Sequence, residues 1–146
     1  MIKLNGVSKR YRTTELETTA LDGIDLTIGS GEFVAVMGPS GCGKSTLLNI
    51  IGLMHAPPTG QYFFGDQEIS KYNENKLADL RKGNVGFIFQ SFNLIDELNV
   101  YENVELPLLY QNVPKAKRKE LVAAALDLVG LAARAKHKPE QLSGGQ

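Results

Sequence analysis

The chain has 146 residues, enough for one domain with its own core, and 42% hydrophobic with 22% charged residues is an ordinary globular composition. Sixteen Lys and Arg balance sixteen Asp and Glu, which excludes the strong positive field that holds nucleic acid. One cysteine, Cys42, excludes an internal disulfide and fits a reducing compartment, and no apolar run nears the roughly 20 residues of a spanning helix, so a membrane role must come through a partner.

The N-terminus carries no basic segment followed by an apolar run, so no leader is expected. Residues 1–36 read as strands. Ile24, Leu26 and Ile28 alternate with Asp25 and Thr27, the period of a half-buried strand. Phe33 to Met37 is a continuous apolar run and predicts a central strand buried on both faces. A Gly-rich loop follows, then Thr46 to Ile51 as a helix. Pro57-Pro58-Thr59-Gly60 is a break. Tyr62 and Phe64 lie in a short strand that turns at Gly65-Asp66, residues 74–82 read as helix, and Val85 to Phe89 is a second candidate central strand. Beyond Gln90 the pattern is helical. Pro114 fits a first helical position, Leu121, Val122, Ala125, Leu128 and Val129 form one apolar face, and Gly130 fits the stop.

Gly38-Pro39-Ser40-Gly41-Cys42-Gly43-Lys44-Ser45-Thr46 matches G-x-x-x-x-G-K-[ST] in full. The glycines let the backbone curl so that successive N–H groups point at phosphate oxygens, and the following helix offers its positive end to the same anion. Lys44 is expected to reach the β- and γ-phosphates, and the Ser45 hydroxyl to ligate Mg²⁺. An apolar run before the loop and a helix after it supply the context this motif requires. Cys42 is read as a small residue at a variable loop position rather than a redox brake. His55 and His137 stand alone, without cysteines or carboxylates at metal spacing, and read as structural or surface residues. The basic side chains between Lys115 and Lys138 read as a solvated helix face.

Leu142-Ser143-Gly144-Gly145-Gln146 resembles the signature sequence of ABC ATPases, about a hundred residues after the phosphate loop. Gln90, ending Val85-Gly86-Phe87-Ile88-Phe89, resembles that family's Q-loop glutamine. Tyr11, after Ser8-Lys9-Arg10, resembles the aromatic that stacks on adenine. Ala20-Leu21-Asp22-Gly23-Ile24, Leu80-Arg81-Lys82 and Asn103-Val104-Glu105-Leu106-Pro107-Leu108 are similar to the lipoprotein-release and macrolide-efflux group.

The resemblance implies an α/β fold: a P-loop NTPase core of the ABC ATPase type, with an N-terminal antiparallel β portion and an α-helical portion. Residues 1–146 would form a partial nucleotide-binding domain, incomplete at the C-terminus. Residues 1–90 would hold the β-rich portion and P-loop core, and 91–146 the helical portion. A complete domain goes on to a strand ending in Asp, a catalytic Glu and a switch His, so these residues alone are expected to bind nucleotide with little turnover. The implied cofactors are ATP and Mg²⁺. ATP would be bound by Tyr11, Gly38, Ser40, Gly41, Cys42, Gly43, Lys44, Ser45 and Thr46, and across a homodimer by Ser143, Gly144, Gly145 and Gln146. Mg²⁺ would be held by Ser45 and Gln90, with Lys44 and Gln90 in catalytic roles. The implied partner is a multi-span membrane permease on the inner face of the cell membrane, gripped partly by the segment after Gln90. No nucleic acid is expected. The alternatives are a soluble ABC-type ATPase without a membrane partner, and a nucleotide-binding fragment without turnover.

Overall fold

The computed structural model describes residues 1–12 and 17–146. The chain forms two compact units, Met1–Phe87 and Ile88–Gln146.

In the first unit, β1 (Ile2–Arg12), β2 (Glu17–Ile28), β3 (Thr59–Phe64) and β4 (Gln67–Glu68) make an antiparallel sheet in the order β2-β1-β3-β4. The β1–β2 ladder changes register between Leu4 and Val7 and again between Val7 and Lys9. Side chains fill the gaps there: Gly6 N–H donates to Asp25 Oδ1 at 2.7 Å, and Gly23 N–H to Ser8 Oγ at 2.8 Å. Ile24 and Leu26 pack against the core and Ile28 is half-buried, while Asp25 and Thr27 face water, as their alternation requires. The helices α1 (Lys44–Ile51) and α2 (Glu74–Asn84) belong to the same unit. Asn73 caps α2, its side chain accepting from Lys76 N–H at 3.0 Å. Leu4, Val7, Leu21, Ile50, Leu53, Tyr62, Ile69 and Leu77 form the core.

The second unit pairs α3 (Val100–Tyr110) with α4 (Lys115–Leu128), followed by short 3₁₀ turns at Ala132–Arg134 and Pro139–Gln141. Asn99 and Glu102 form a complete capping box at the start of α3. The Arg118 guanidinium, mostly buried, bonds Glu105 Oε1 at 2.8 Å and Val113 O at 2.7 Å, joining the two helices beside a core of Val100, Val122 and Leu126. The side chain of Asn103 clasps the segment before α3. Its amide bonds Ile95 O, Leu98 O and Asn99 O, and its oxygen accepts from Ile95 N–H at 2.9 Å.

Several expectations are corrected. Residues 33–37 and 85–89 form no strand, and Phe33 is 99% exposed, with Met37, Ile88 and Phe89 also exposed. An apolar run states a preference for burial, but a strand also needs hydrogen-bonded neighbours, and the β2-β1-β3-β4 sheet pairs with neither segment. Strand structure over 1–36 ends at Ile28, and the part of that reading at 13–16 lies outside the described residues. The break at 57–60 is shorter than expected, since β3 begins at Thr59 and includes Gly60, which sits at a register shift against β1. Pro114 is the N-cap of α4 rather than its first residue. The buried stripe of α4 is Val122 and Leu126; Leu121, Ala125, Leu128 and Val129 are exposed. Val122 and Leu126 pack with Val100, Val104, Leu108 and Leu131, so the apolar seam that α4 buries is narrow.

Candidate functional site

The loop at 38–43 returns on itself before α1. Cys42 N–H reaches Pro39 O at 3.4 Å, and Gly43 then stands at φ 94° as the N-cap. Gly43 is required twice over. Its backbone is left-handed, and a Cβ there would lie 2.2 Å from Ala20 O on β2. Leu47 N–H bonds Gly43 O at 2.9 Å, opening the helix.

Lys44 lies across the loop it follows. Its Nζ donates to Gly38 O and Pro39 O, each at 2.8 Å, and sits 3.7 Å from Cys42 Sγ. An ammonium has three donors. Two are spent holding the loop in a ring, and the third meets only a weakly accepting sulfur.

The two ends of α1 differ sharply. At the N-terminus no side chain caps the helix and no acidic residue stands in the first turn. The N–H groups of Lys44, Ser45 and Thr46 therefore have no intrahelical acceptor, and the positive end of the helix is not neutralised. At the C-terminus every terminal carbonyl is engaged. Gly52 N–H takes Leu48 O at 2.8 Å, Met54 N–H takes Asn49 O at 2.9 Å, Leu53 N–H takes Ile50 O at 3.0 Å, and the Tyr62 hydroxyl donates to Ile51 O at 2.7 Å. A closed end opposite a set of open donors suits an anion. The exposed Ser45 hydroxyl at its mouth suits a hard cation carried by phosphate oxygens, which needs few protein ligands. The donor set thus fits a nucleotide polyphosphate with its metal.

The other expected residues lie elsewhere. Tyr11 is near the end of β1, opposite Thr18 on β2, half exposed, with Lys9 Nζ 5.4 Å from its ring. Gln90 is exposed, in a bend within the second unit. Ser143 to Gln146 form a turn in that same unit. Gln146 N–H bonds Ser143 O and Gln146 Oε1 accepts from Ser143 N–H, each at 3.0 Å. This is how a capped helix begins. The turn lines a cavity of about 820 Å³ together with Phe92, Leu94 and Lys138. Lys138 Nζ bonds Glu97 O, and Val100 N–H bonds His137 O, so the segment before the signature-like turn is tied to the segment before α3. His137 Nε2 lies 2.9 Å from Arg134 Nη1. A guanidinium only donates, so Nε2 accepts and the buried Nδ1 carries the hydrogen. No group of three or more His, Cys, Asp or Glu is assembled among the described residues.

A family model described as ABC transporter matches residues 21–146. The chain belongs to the ABC transporter family. It is 46% identical over 146 residues to the uncharacterized ABC transporter ATP-binding protein YknY of Bacillus subtilis (strain 168), covering all of this chain and 64% of that protein. It is 47% identical over the same length to the macrolide export ATP-binding/permease protein MacB of Nitrobacter winogradskyi, covering 23% of it. Its structure is similar, with a TM-score of 0.91 and 41% identity, to the dimeric post-hydrolysis state of the ATP-binding cassette MJ0796 bound to ADP and Pi, spanning all of this chain and 65% of that one. The fold is therefore that of an ABC ATPase cassette, as the resemblance implied, and the chain spans a little under two thirds of the length of YknY.

Sequence reading missed the residues that close α1 from below. Arg81 figured only as part of a family-like stretch, and Tyr62 only as a strand residue. Gly52 carried a signal, since a glycine after an apolar helical run is a helix stop. Leu53 carried none.

Proposed function

We propose that this chain is the ATP-binding part of a transport ATPase. The observation that carries the reading is the open N-terminus of α1, where three uncapped N–H groups and the Lys44 ammonium converge on one loop. Lys44, held across the ring by Gly38 O and Pro39 O, presents a fixed cation to the β- and γ-phosphates. Gly41 and Gly43 keep side-chain bulk away from the phosphates, and Ser40, Cys42 and Thr46 flank them. Ser45 would hold Mg²⁺. The metal, when bound, supplies charge neutralisation on the phosphate oxygens. Tyr11 offers a ring face to adenine. Ser143, Gly144, Gly145 and Gln146 would meet the nucleotide held by a second copy, so that two copies close around two ATP molecules.

The MacB relative is an export ATP-binding/permease protein, which supports a membrane permease as the partner. That relationship favours a transporter over a soluble ATPase.

Lys44→Ala is expected to weaken ATP binding by roughly tenfold to a hundredfold, the worth of a charge-assisted hydrogen bond of about 1.5–3 kcal/mol. Calorimetric titration reads it directly. Unchanged affinity would remove the phosphate-loop assignment.

A further inference from the structure

The closed end of α1 is built by residues from three other places. Tyr62, buried on β3, holds Ile51 O at 2.7 Å. Arg81, on α2, donates from Nη1 to Leu53 O at 2.7 Å, across 28 residues of sequence. Phe87 lies over Gly52 so closely that a Cβ there would come within 2.1 Å of the ring. The residue that Arg81 holds is unusual. Leu53 has φ 62°, a left-handed backbone that leucine disfavours, and its side chain is fully buried in the core. It ends the helix in the position glycine normally takes.

Such a turn persists only when its surroundings over-determine it. The buried side chain pulls Leu53 inward, and the Arg81 guanidinium fixes the carbonyl that the turn directs away from the helix. Arg81 also supplies what α1 lacks, since no basic residue stands in the helix's own last turn. A cation at the carbonyl end complements the helix dipole. With eight residues, α1 is only about 12 Å long, so its two ends are mechanically one object. A rotation or slide at Leu53 moves Lys44 and Ser45 with it.

We propose that Arg81 is a positioning residue for the phosphate loop. By fixing Leu53 O it sets the axial and rotational placement of α1, and with it the place where Lys44 and the uncapped N–H groups meet a triphosphate. This inference rests on the ATP-binding reading above and adds a control point to it: α2, exposed along much of its length, bears directly on the geometry of the nucleotide site.

The test is ATP titration of the purified protein in four forms, wild type, Lys44→Ala, Arg81→Ala and Arg81→Lys, together with amide hydrogen exchange well below the unfolding temperature. Arg81→Ala is expected to weaken ATP roughly tenfold, the scale of one lost charge-assisted hydrogen bond. Amides of α1 should exchange faster while those of β1 and β3 keep their protection. Arg81→Lys, which retains a cation and a donor, should restore affinity to within about twofold. If Arg81→Ala does not fold, Tyr62→Phe removes the neighbouring clamp without changing the ring, and should weaken ATP by a smaller factor with the same local pattern of exchange. Wild-type affinity in Arg81→Ala, alongside a loss in Lys44→Ala, overturns the positioning role and leaves the phosphate loop standing. A loss of affinity with protection falling equally across the sheet also overturns it, because the residue would then be merely structural. Failure of the wild type to bind ATP overturns the underlying reading and this inference with it.

Discussion

Tyr62 is 1% exposed, and its hydroxyl still has a partner in Ile51 O. Burial pushes its phenol well above the ordinary value of 10.0, because the ionised form would lose its hydration. The folded state therefore holds this proton more tightly than the unfolded chain. The stability that follows is fully present below the unfolded value and is lost as pH rises through the range above about 10. Denaturation at a series of alkaline pH values should show stability level to about pH 9 and then falling, with Tyr62→Phe shallower on the alkaline side. A Tyr62→Phe profile that tracks wild type at high pH would assign the fall to other groups. The same residue scale holds the clearest legible feature of the chain. Gly43 was expected to let the loop curl, and it does so at φ 94° with no room for a Cβ. Chemistry that depends on residue type at fixed spacing is written locally, and the phosphate loop is of that kind.

At the scale of elements, periodicity located helices better than it located their faces. The sequence places a helix at 74–82, and α2 runs Glu74–Asn84. It also places one after Pro114, stopping near Gly130, and α4 follows, but its apolar positions are more numerous than its contacts. Leu128 is 87% exposed, whereas Val122 and Leu126 are buried against Val104, Leu108 and Leu131. Leu126→Ala should cost about 2–4 kcal/mol, as large-to-small changes in a packed core do. Leu128→Ala should stay within about 0.5 kcal/mol. Urea denaturation of both variants decides the matter, and equal effects would mean that α4 buries the wider face its sequence suggests. The face could not be read from α4 alone, because α3 decides how much of it is covered.

Across the whole chain, exposed apolar surface is the feature to explain. Phe33, Val34 and Met37 are exposed on a segment with no hydrogen-bonded strand beside it. Open backbone next to apolar side chains is a template for association. Light scattering should show a mass that rises with protein concentration, and Phe33→Ser with Met37→Ser should lower it. A monomer at every concentration, unchanged by those substitutions, would show that the segment is not adhesive.

The sequence by itself determined the phosphate loop, the helix behind it, the alternating strand at 24–28 and the family resemblance through Gln90 and Ser143 to Gln146. Each of these is carried by neighbouring residues whose spacing dictates local geometry or local chemistry. Tertiary structure alone decided that 33–37 and 85–89 are not strands, that α4 buries one narrow seam, and that Tyr62, Arg81 and Phe87 converge on the end of α1. The reason is the same in each case. Strand pairing, burial and a clamp built from three distant segments depend on what lies alongside in space, and no spacing along the chain encodes a neighbour that another element supplies.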